Sequence, residues 1–330
     1  MAMNFWEAQR RARSRTARYV ALFVLLTIGV AIAAEAAMRA FAQENYDPPL
    51  PYLGMAFLAI TFLVALFQYG RFQAQGGACV AESVGGILVD PRTTSFKEKQ
   101  LLNIVEEMAV AASVPVPPIY ILRANEINAF AAGLNPNDAV IAVTVGALRS
   151  LNREELQGVI AHEFGHIHNG DMLVSMRVAA MVMGFFFVLY IGMRMLQFSS
   201  LRSDREDRRG GNPIVIAALI FLAAGAFTWF AGSILKSAIS REREYLADAC
   251  SVQFTRDPGG IANALRKIAQ EQVHDMPKNG IAYSHMYLED TSFMSALFAT
   301  HPPLEKRIAA IEGRTYIPEE WNIPKDPDKS

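Results

Sequence analysis

The sequence predicts an α+β protein, mainly α-helical, in which a domain with a small β-sheet is joined to four transmembrane helices. Three observations carry that expectation. Four stretches are apolar and long enough to cross a bilayer: residues 19–34 with an extension past Glu35 to Met38, 51–70, 172–198 and 213–235. The 330 residues are 52% hydrophobic and have a mean hydropathy of +0.18, too apolar for an ordinary soluble chain and too polar for one lying wholly in lipid. Between the apolar stretches, helical periodicity alternates with short β-rich runs bounded by turn residues.

The elements follow in order. An N-terminal tail carries Arg10, Arg11, Arg13, Arg15 and Arg18, whereas the loop at 40–50 holds Glu44 and Asp47 and no Lys or Arg. Cytoplasmic flanks are the ones rich in Lys and Arg, so the N-terminus is expected in the cytoplasm and the loop outside. The second span then returns residues 71–171 to the cytoplasm. A competing reading takes Ala34-Glu35-Ala36 as the cleavage site of a signal peptide; the second span would still carry the following residues inwards. The third stretch has Arg177 and Arg194 at the ends of a charge-free core, placed to snorkel to opposite interfaces. The loop at 199–212 mixes Arg202, Arg205, Arg208 and Arg209 with Asp204, Glu206 and Asp207. If spans three and four both cross, that loop lies outside, against the charge rule. The expected division is a tail and transmembrane hairpin at 1–70, a first part of the soluble domain at 71–171, a second hairpin at 172–236 and a second soluble part at 237–330.

Within the soluble parts, residues 97–113 form an amphipathic helix with Leu101, Leu102, Ile104, Val105, Met108 and Ala111 on its apolar side. Val114-Pro115-Val116-Pro117-Pro118 stops it, because proline cannot continue a helix. Strands are expected at 119–122, 127–132 and 139–145, the last two forming a hairpin across Leu134-Asn135-Pro136-Asn137-Asp138. Asn152 with Glu155 three residues on is an N-cap and capping box for the next helix, which Gly170 ends or bends. The fourth span runs on as helix through Asp248, and another amphipathic helix covers 260–273. Residues 276–300 are irregular or weakly helical. A last helix covers 304–312, and the tail from Tyr316 is an exposed end.

The chemistry sits in His162-Glu163-Phe164-Gly165-His166, inside the helix that Asn152 starts. Histidines four apart project from one helix face, about 40° apart around the axis. That spacing lets two imidazoles hold one Zn²⁺ per chain while the glutamate beside them acts on a water. A zinc of this kind needs a third protein ligand, and Glu242, Glu244, His274, His285 and His301 are all downstream candidates. His168 points to another helix face. The rest of the composition narrows the alternatives. A net charge of −1 gives no field that would favour nucleic acid. The 2 cysteines, Cys79 and Cys250, make neither a disulfide framework nor a cysteine zinc cluster. A transporter would need paired charges inside the spans, and only Glu35, Arg177 and Arg194 come near, all towards segment ends.

Four motifs together carry a family resemblance: His162–His166; Asn169-Gly170-Asp171-Met172; Ser240-Arg241-x-Arg243-Glu244-Tyr245-x-Ala247-Asp248; and His301-Pro302-Pro303-Leu304-x-Lys306-Arg307-Ile308. In order, spacing and flanking spans they resemble the HtpX-type membrane zinc metalloproteases, which group with the CAAX prenyl proteases among the gluzincins. The resemblance covers nearly the whole chain and implies a zincin-like catalytic domain. It assigns Glu244 as third ligand beside His162 and His166, Asp248 as acceptor for a ligand histidine's second N–H with Asp171 in the same outer layer, and His301 or Arg307 as donor to the oxyanion. It makes Asn128, Ala129 and Phe130 part of an edge strand that binds an extended substrate by strand addition.

The helix periodicity of the 236–248 stretch puts Glu244 about 13.5 Å past the end of the fourth span, so the zinc is expected near the cytoplasmic face of the bilayer. The resemblance then implies an endopeptidase of the cytoplasmic (inner) membrane that uses Glu163 as base. It would cleave misfolded or damaged membrane proteins in quality control and the stress response. Two alternatives stand beside it: a CAAX-type prenyl-protein protease, whose branch has more spans than this chain shows, and a non-catalytic zinc-binding membrane scaffold, which would not need Glu163.

Overall fold

The computed structural model describes residues 5–42, 45–201, 212–271 and 303–313. His274, His285, His301, loop residues 202–211, the 276–300 segment and the tail from Tyr316 lie outside the described residues. The chain divides into two compact units: one of Arg10–Gln75 and Leu173–Ile239, the other of Met1–Gln9, Gly76–Met172 and Ser240–Ser330.

The first unit is built from α1 (Phe5–Ala42), α2 (Tyr52–Gln75), α7 (Asp171–Leu201) and most of α8 (Pro213–Thr255). Each holds a segment long and apolar enough to cross a membrane: Val20–Ala42, Tyr52–Gln75, Asp171–Ser199 and Pro213–Leu235. Helix α1 starts well before its apolar segment, so the arginine-bearing stretch predicted as a tail is helical too. Lipid tails are as apolar as leucine, so association in a bilayer relies on close backbone approach. A Cβ on Gly225 would lie 2.7 Å from the Leu189 nitrogen, and one on Gly54 would lie 2.7 Å from the Ala31 oxygen. Phe23 meets Phe185 edge-on at 5.2 Å between ring centres.

One charged residue interrupts the apolar run of α1, and the structure shows what it binds. Glu35 is buried and accepts hydrogen bonds from the Leu53 N–H (3.0 Å), the Gly54 N–H (3.2 Å), the Tyr46 hydroxyl (3.1 Å) and Arg39 Nε (2.9 Å). The first N–H groups of α2 have no partner within their own helix; the Glu35 side chain supplies one. Arg39 in turn donates to the Pro48 and Leu50 carbonyls at 3.0 and 3.4 Å, closing the turn between the two helices.

The second unit contains a four-stranded sheet, in the order β1-β2-β4-β3, from β1 (Ile87–Leu88), β2 (Ile119–Leu122), β3 (Ala129–Ala132) and β4 (Val140–Thr144). The pairing is antiparallel for β1 with β2, parallel for β2 with β4, and antiparallel for β4 with β3. Strand alternation sorts the side chains. Ile119, Ile141 and Val143 enter the main core with residues of α4 (Phe96–Ala112), α6 (Arg153–Asn169) and α9 (Pro258–Glu271). Tyr120, Leu122, Val140 and Ala142 face the other way, towards Ala81 of α3 (Ala78–Ser83). Strand β4 is buried at every position, whereas β3 ends the sheet with Ala129, Phe130 and Ala131 half-buried.

The expected hairpin is present with both strands shortened. Thr144 leaves β4 to cap α5 (Val145–Ser150), its hydroxyl accepting from the Ala147 N–H at 3.2 Å. The Ile127 N–H is taken at 3.0 Å by Glu271 rather than by a strand. Three elements had no readable signal, α3, β1 and α5, at 6, 2 and 6 residues. None spans enough turns or alternations for periodicity to show. The remaining helix, α10 (Leu304–Glu312), agrees with its expected bounds. It docks through Ile308 in the main core and through an ion pair of Glu312 with Arg266 of α9.

Candidate metal centre

Helix α6 is set by its ends. The Asn152 side chain accepts from the Glu155 N–H at 2.8 Å, and the Glu155 carboxylate accepts from the Asn152 N–H at 2.8 Å, completing the capping box. Lys267 of α9 binds the same Glu155 carboxylate at 2.6 Å, tying the start of α6 to a neighbour. At the other end Gly170 takes φ 71°, a left-handed conformation that costs a glycine little. The chain reverses there, and Asp171, the first residue of α7, folds back to place Oδ2 3.0 Å from Nδ1 of His166.

The C-terminal stretch of α8 brings Glu244 to α6. Its Oε2 lies 3.4 Å from Nε2 of His162, and its Oε1 lies 3.5 Å from Nε2 of His166. One ligand atom from each of these three residues falls within 4.8 Å of the others. A tetrahedral ion with bonds of about 2.0–2.1 Å separates its ligand atoms by about 3.3–3.4 Å, and each oxygen of the Glu244 carboxylate stands at about that distance from the Nε2 of one histidine. The rings of His162 and His166 are 4.8 Å apart and nearly perpendicular, at 88°.

The other imidazole nitrogens are engaged. Nδ1 of His162 lies 2.9 Å from Asp248 Oδ1, one helical turn past Glu244. Arg307 of α10 grips Asp248 at two points, Nε to Oδ2 at 2.9 Å and Nη2 to Oδ1 at 2.6 Å, and puts Nη1 3.1 Å from Glu244 Oε2. Its Nη2 also lies 3.4 and 3.5 Å from the two nitrogens of His162. These contacts make Arg307, which is 2% exposed, a brace for Asp248 and Glu244. On the His166 side, Arg243 binds Asp171. Arg243 stands in the third family motif without an assigned role: among Arg241, Glu242 and Glu244 it reads as part of a solvated charged face, and its burial and bond to Asp171 are what give it one.

The charges test the fit of a metal. Glu163, Asp171, Glu244 and Asp248 are buried, as are Arg243 and Arg307. Four carboxylates against two guanidinium groups leave two negative charges in a site of low dielectric, which one divalent cation would balance. The same excess acts on protons. Burial disfavours imidazolium at His162, but hydrogen bonds to Asp248 and Glu244 outweigh it and raise its pKa above the usual value. At His166 burial is likewise outweighed, by Asp171 and Glu244, and the pKa rises further. Burial would raise the Asp248 carboxyl, but the Arg307 charge and its hydrogen bonds hold it down to about 2.

The remaining expected residues fall as follows. Glu163 is buried beside the two histidines on α6. Asn128 immediately precedes β3, its N–H donating to the Thr144 hydroxyl at 3.0 Å; Ala129 and Phe130 lie in β3, the end strand. His168 turns away, its Nδ1 3.3 Å from the Ala112 carbonyl.

Comparison with known proteins places the chain in a family. The model of Peptidase family M48 matches residues 95–315. A Protease HtpX homolog of Caldanaerobacter subterraneus subsp. tengcongensis is 40% identical over 263 residues, covering 79% of this chain and 85% of that protein. Another, of Thermoanaerobacter pseudethanolicus, is 38% identical over 263 residues with the same coverage of 79% and 85%. Among solved structures, the crystal structure of S. mikatae Ste24p aligns at a TM-score of 0.47 and 16% identity, covering 87% of this chain and 67% of that one. The matched segment contains α6, the end of α8 and α10, the helices that build the centre, and with the identity to its relatives it makes this chain a member of peptidase family M48, a multi-pass membrane metallopeptidase.

Proposed function

We propose that this protein is a zinc endopeptidase of the cytoplasmic membrane that cleaves misfolded or damaged membrane proteins at the cytoplasmic face. The observation that carries the zinc reading is the cluster of His162, His166 and Glu244, whose ligand atoms all lie within 4.8 Å of one another, with one carboxylate oxygen facing each Nε2 at 3.4 and 3.5 Å. Orientation rests on the arginines at 10–18 against the acidic loop at 40–50. Membrane substrates follow from a catalytic domain tethered by four apolar helices.

His162, His166 and Glu244 would hold the metal through the two Nε2 atoms and the carboxylate. Bound there, Zn²⁺ supplies a Lewis acid that polarises the scissile carbonyl and lowers the pKa of water. Glu163 takes the proton from the attacking water and hands it to the leaving amine. Asp248 and Asp171 hold the Nδ1 protons of His162 and His166, which fixes the tautomer and aims each Nε2 at the metal. Arg307 and Arg243 keep those two aspartates in place. Strand β3 offers its outer row of backbone groups to an extended substrate, with Ala129 and Phe130 in that strand; Asn128 leads into it, its own N–H and C=O both taken by Thr144. The oxyanion donor is His301 or Arg307, as the family motif implies; Arg307 also holds Asp248 and Glu244.

The test is cleavage of casein and of an unfolded membrane protein by the purified enzyme and its Glu163→Gln variant, with zinc measured in both. The expected result is one zinc per chain in each and activity at least about 10²-fold lower in the variant. Full activity with full zinc in Glu163→Gln would remove the base assignment. Absence of zinc from the parent would remove the metal reading.

A further inference from the structure

We propose that Gly165 is a positioning residue for the metal: the absence of a side chain there sets the spacing between α6 and α8, and so the reach of Glu244 to the two histidines. The inference rests on the reading of His162, His166 and Glu244 as ligands.

The face of α8 turned to α6 carries Glu244, Ala247, Asp248 and Ser251, at the spacing that lines up one side of a helix. All four are buried, at 1%, 0%, 3% and 0% exposure. Two bind α6 directly: Asp248 at His162 and Ser251, whose hydroxyl donates to the Gly158 carbonyl at 2.7 Å. Between them the helices touch at Gly165. A Cβ there would lie 3.0 Å from Ala247 Cα, 3.0 Å from Cys250 Cβ and 3.1 Å from Ala247 O. Two of those atoms are helix backbone and cannot rotate aside. A methyl group would therefore push α8 back by a few tenths of an ångström. Glu244 lies one turn before Ala247 on the same face and would move with it. A shift of that size is comparable with the spread of about 0.2 Å expected of metal–ligand distances, so even the smallest side chain at 165 would bring Glu244 to the metal in poorer geometry.

A second glycine on α6 provides the contrast. A Cβ on Gly158 would meet Ile261 N at 2.5 Å and Gly260 C at 2.8 Å. That contact is tighter, but it presses on α9, which carries no ligand. Gly158 governs how well the unit packs; Gly165 governs where a ligand sits.

The experiment compares full-length parent, Gly165→Ala and Gly158→Ala in detergent. It measures zinc affinity by competition with a chromophoric chelator, the visible spectrum of the Co²⁺ form and the melting temperature of metal-stripped protein. Gly165→Ala should bind zinc about 10-fold more weakly or worse, with an altered Co²⁺ spectrum and a metal-stripped melting temperature near that of the parent. Gly158→Ala should melt lower and keep the parental spectrum. If Gly165→Ala yields no folded protein, Cys250→Val presses on the same contact from α8 and should give the same loss of zinc. Parental zinc affinity and spectrum in the Gly165 variant, or in Cys250→Val where that stands in, would overturn the proposal, as would a zinc loss that only follows the melting temperature as in Gly158→Ala. A parent that binds no zinc would instead defeat the ligand reading.

Discussion

The two histidines of the centre stand one turn apart on the same helix, yet they are held by different kinds of structure. Asp171, which holds His166, is five positions along the chain and arrives through the local reversal at Gly170. Asp248, which holds His162, comes from α8, and its partner Arg307 comes from α10. Arg307 also reaches Glu244. The His162 side is also the drier one, with a side-chain exposure of 6% against 16% for His166. Asp171 is placed by the local reversal between α6 and α7, and Arg243 of α8 then binds it. The brace on His162 comes entirely from two distant helices, α8 and α10, so it reports on the assembled fold and joins two ligands in one network.

The largest effect that separates the two sides is expected at Arg307. Replacing it with methionine fills the same space but leaves Asp248 and Glu244 buried without their counter-charge, at a cost of about 3–5 kcal/mol. A thermal melt of the metal-free protein should show it, and Arg307→Lys should recover little, since one ammonium cannot reproduce the two-point grip. Parental melting of Arg307→Met would mean that the network adds nothing.

A smaller effect sharpens the contrast. Asp248→Asn and Asp171→Asn each remove an acceptor charge behind a histidine, which weakens metal binding roughly 10–100-fold. Titration with zinc should put Asp248→Asn near the upper figure and Asp171→Asn near the lower. The reverse order would show that burial of the brace does not set its worth.

The smallest effect is a pH dependence. Asp248 has its carboxyl pKa depressed from 3.8 to about 2 in the folded chain. A depressed carboxylate contributes stability that is fully present above the unfolded value and is lost as pH falls through the folded one. Metal-free protein should therefore lose about 1 kcal/mol from this group by pH 3, on the way to a full loss on the order of 2 kcal/mol. In Asp248→Asn that part of the acid sensitivity should be gone from chemical denaturation curves taken between pH 5 and 3.

Much of the fold could be read from local signals. The capping box of Asn152 and Glu155, the stop at Gly170 and the turn at 134–138 each depend on residues close in sequence, and each appears where expected. The histidine pair on one face of α6 follows from helix geometry alone. The third ligand does not. Glu242, Glu244 and three more distant histidines were equivalent by spacing, because the choice depends on how α8 crosses α6, a tertiary fact that no window of sequence contains. Only the family motif singled out Glu244. Arg243 was hidden for a related reason: a cation one residue from a glutamate on a helix reads as solvated unless its burial is known. The motif names Arg307 beside His301 as an oxyanion donor; that its buried guanidinium also holds two carboxylates is visible only in the fold. The short elements α3, β1 and α5 went unread because their stability comes from packing, not from a pattern they carry themselves.

The bond between Glu35 and the start of α2 has a consequence for the first hairpin. Near the end of its span, α1 carries an acidic side chain that Arg39 and Tyr46 answer, and the first turn of α2 brings two amide groups that the same carboxylate accepts. Each helix holds what the other lacks. The first hairpin is therefore locked at its turn by one carboxylate, and Glu35→Leu should leave α1 helical while freeing the start of α2.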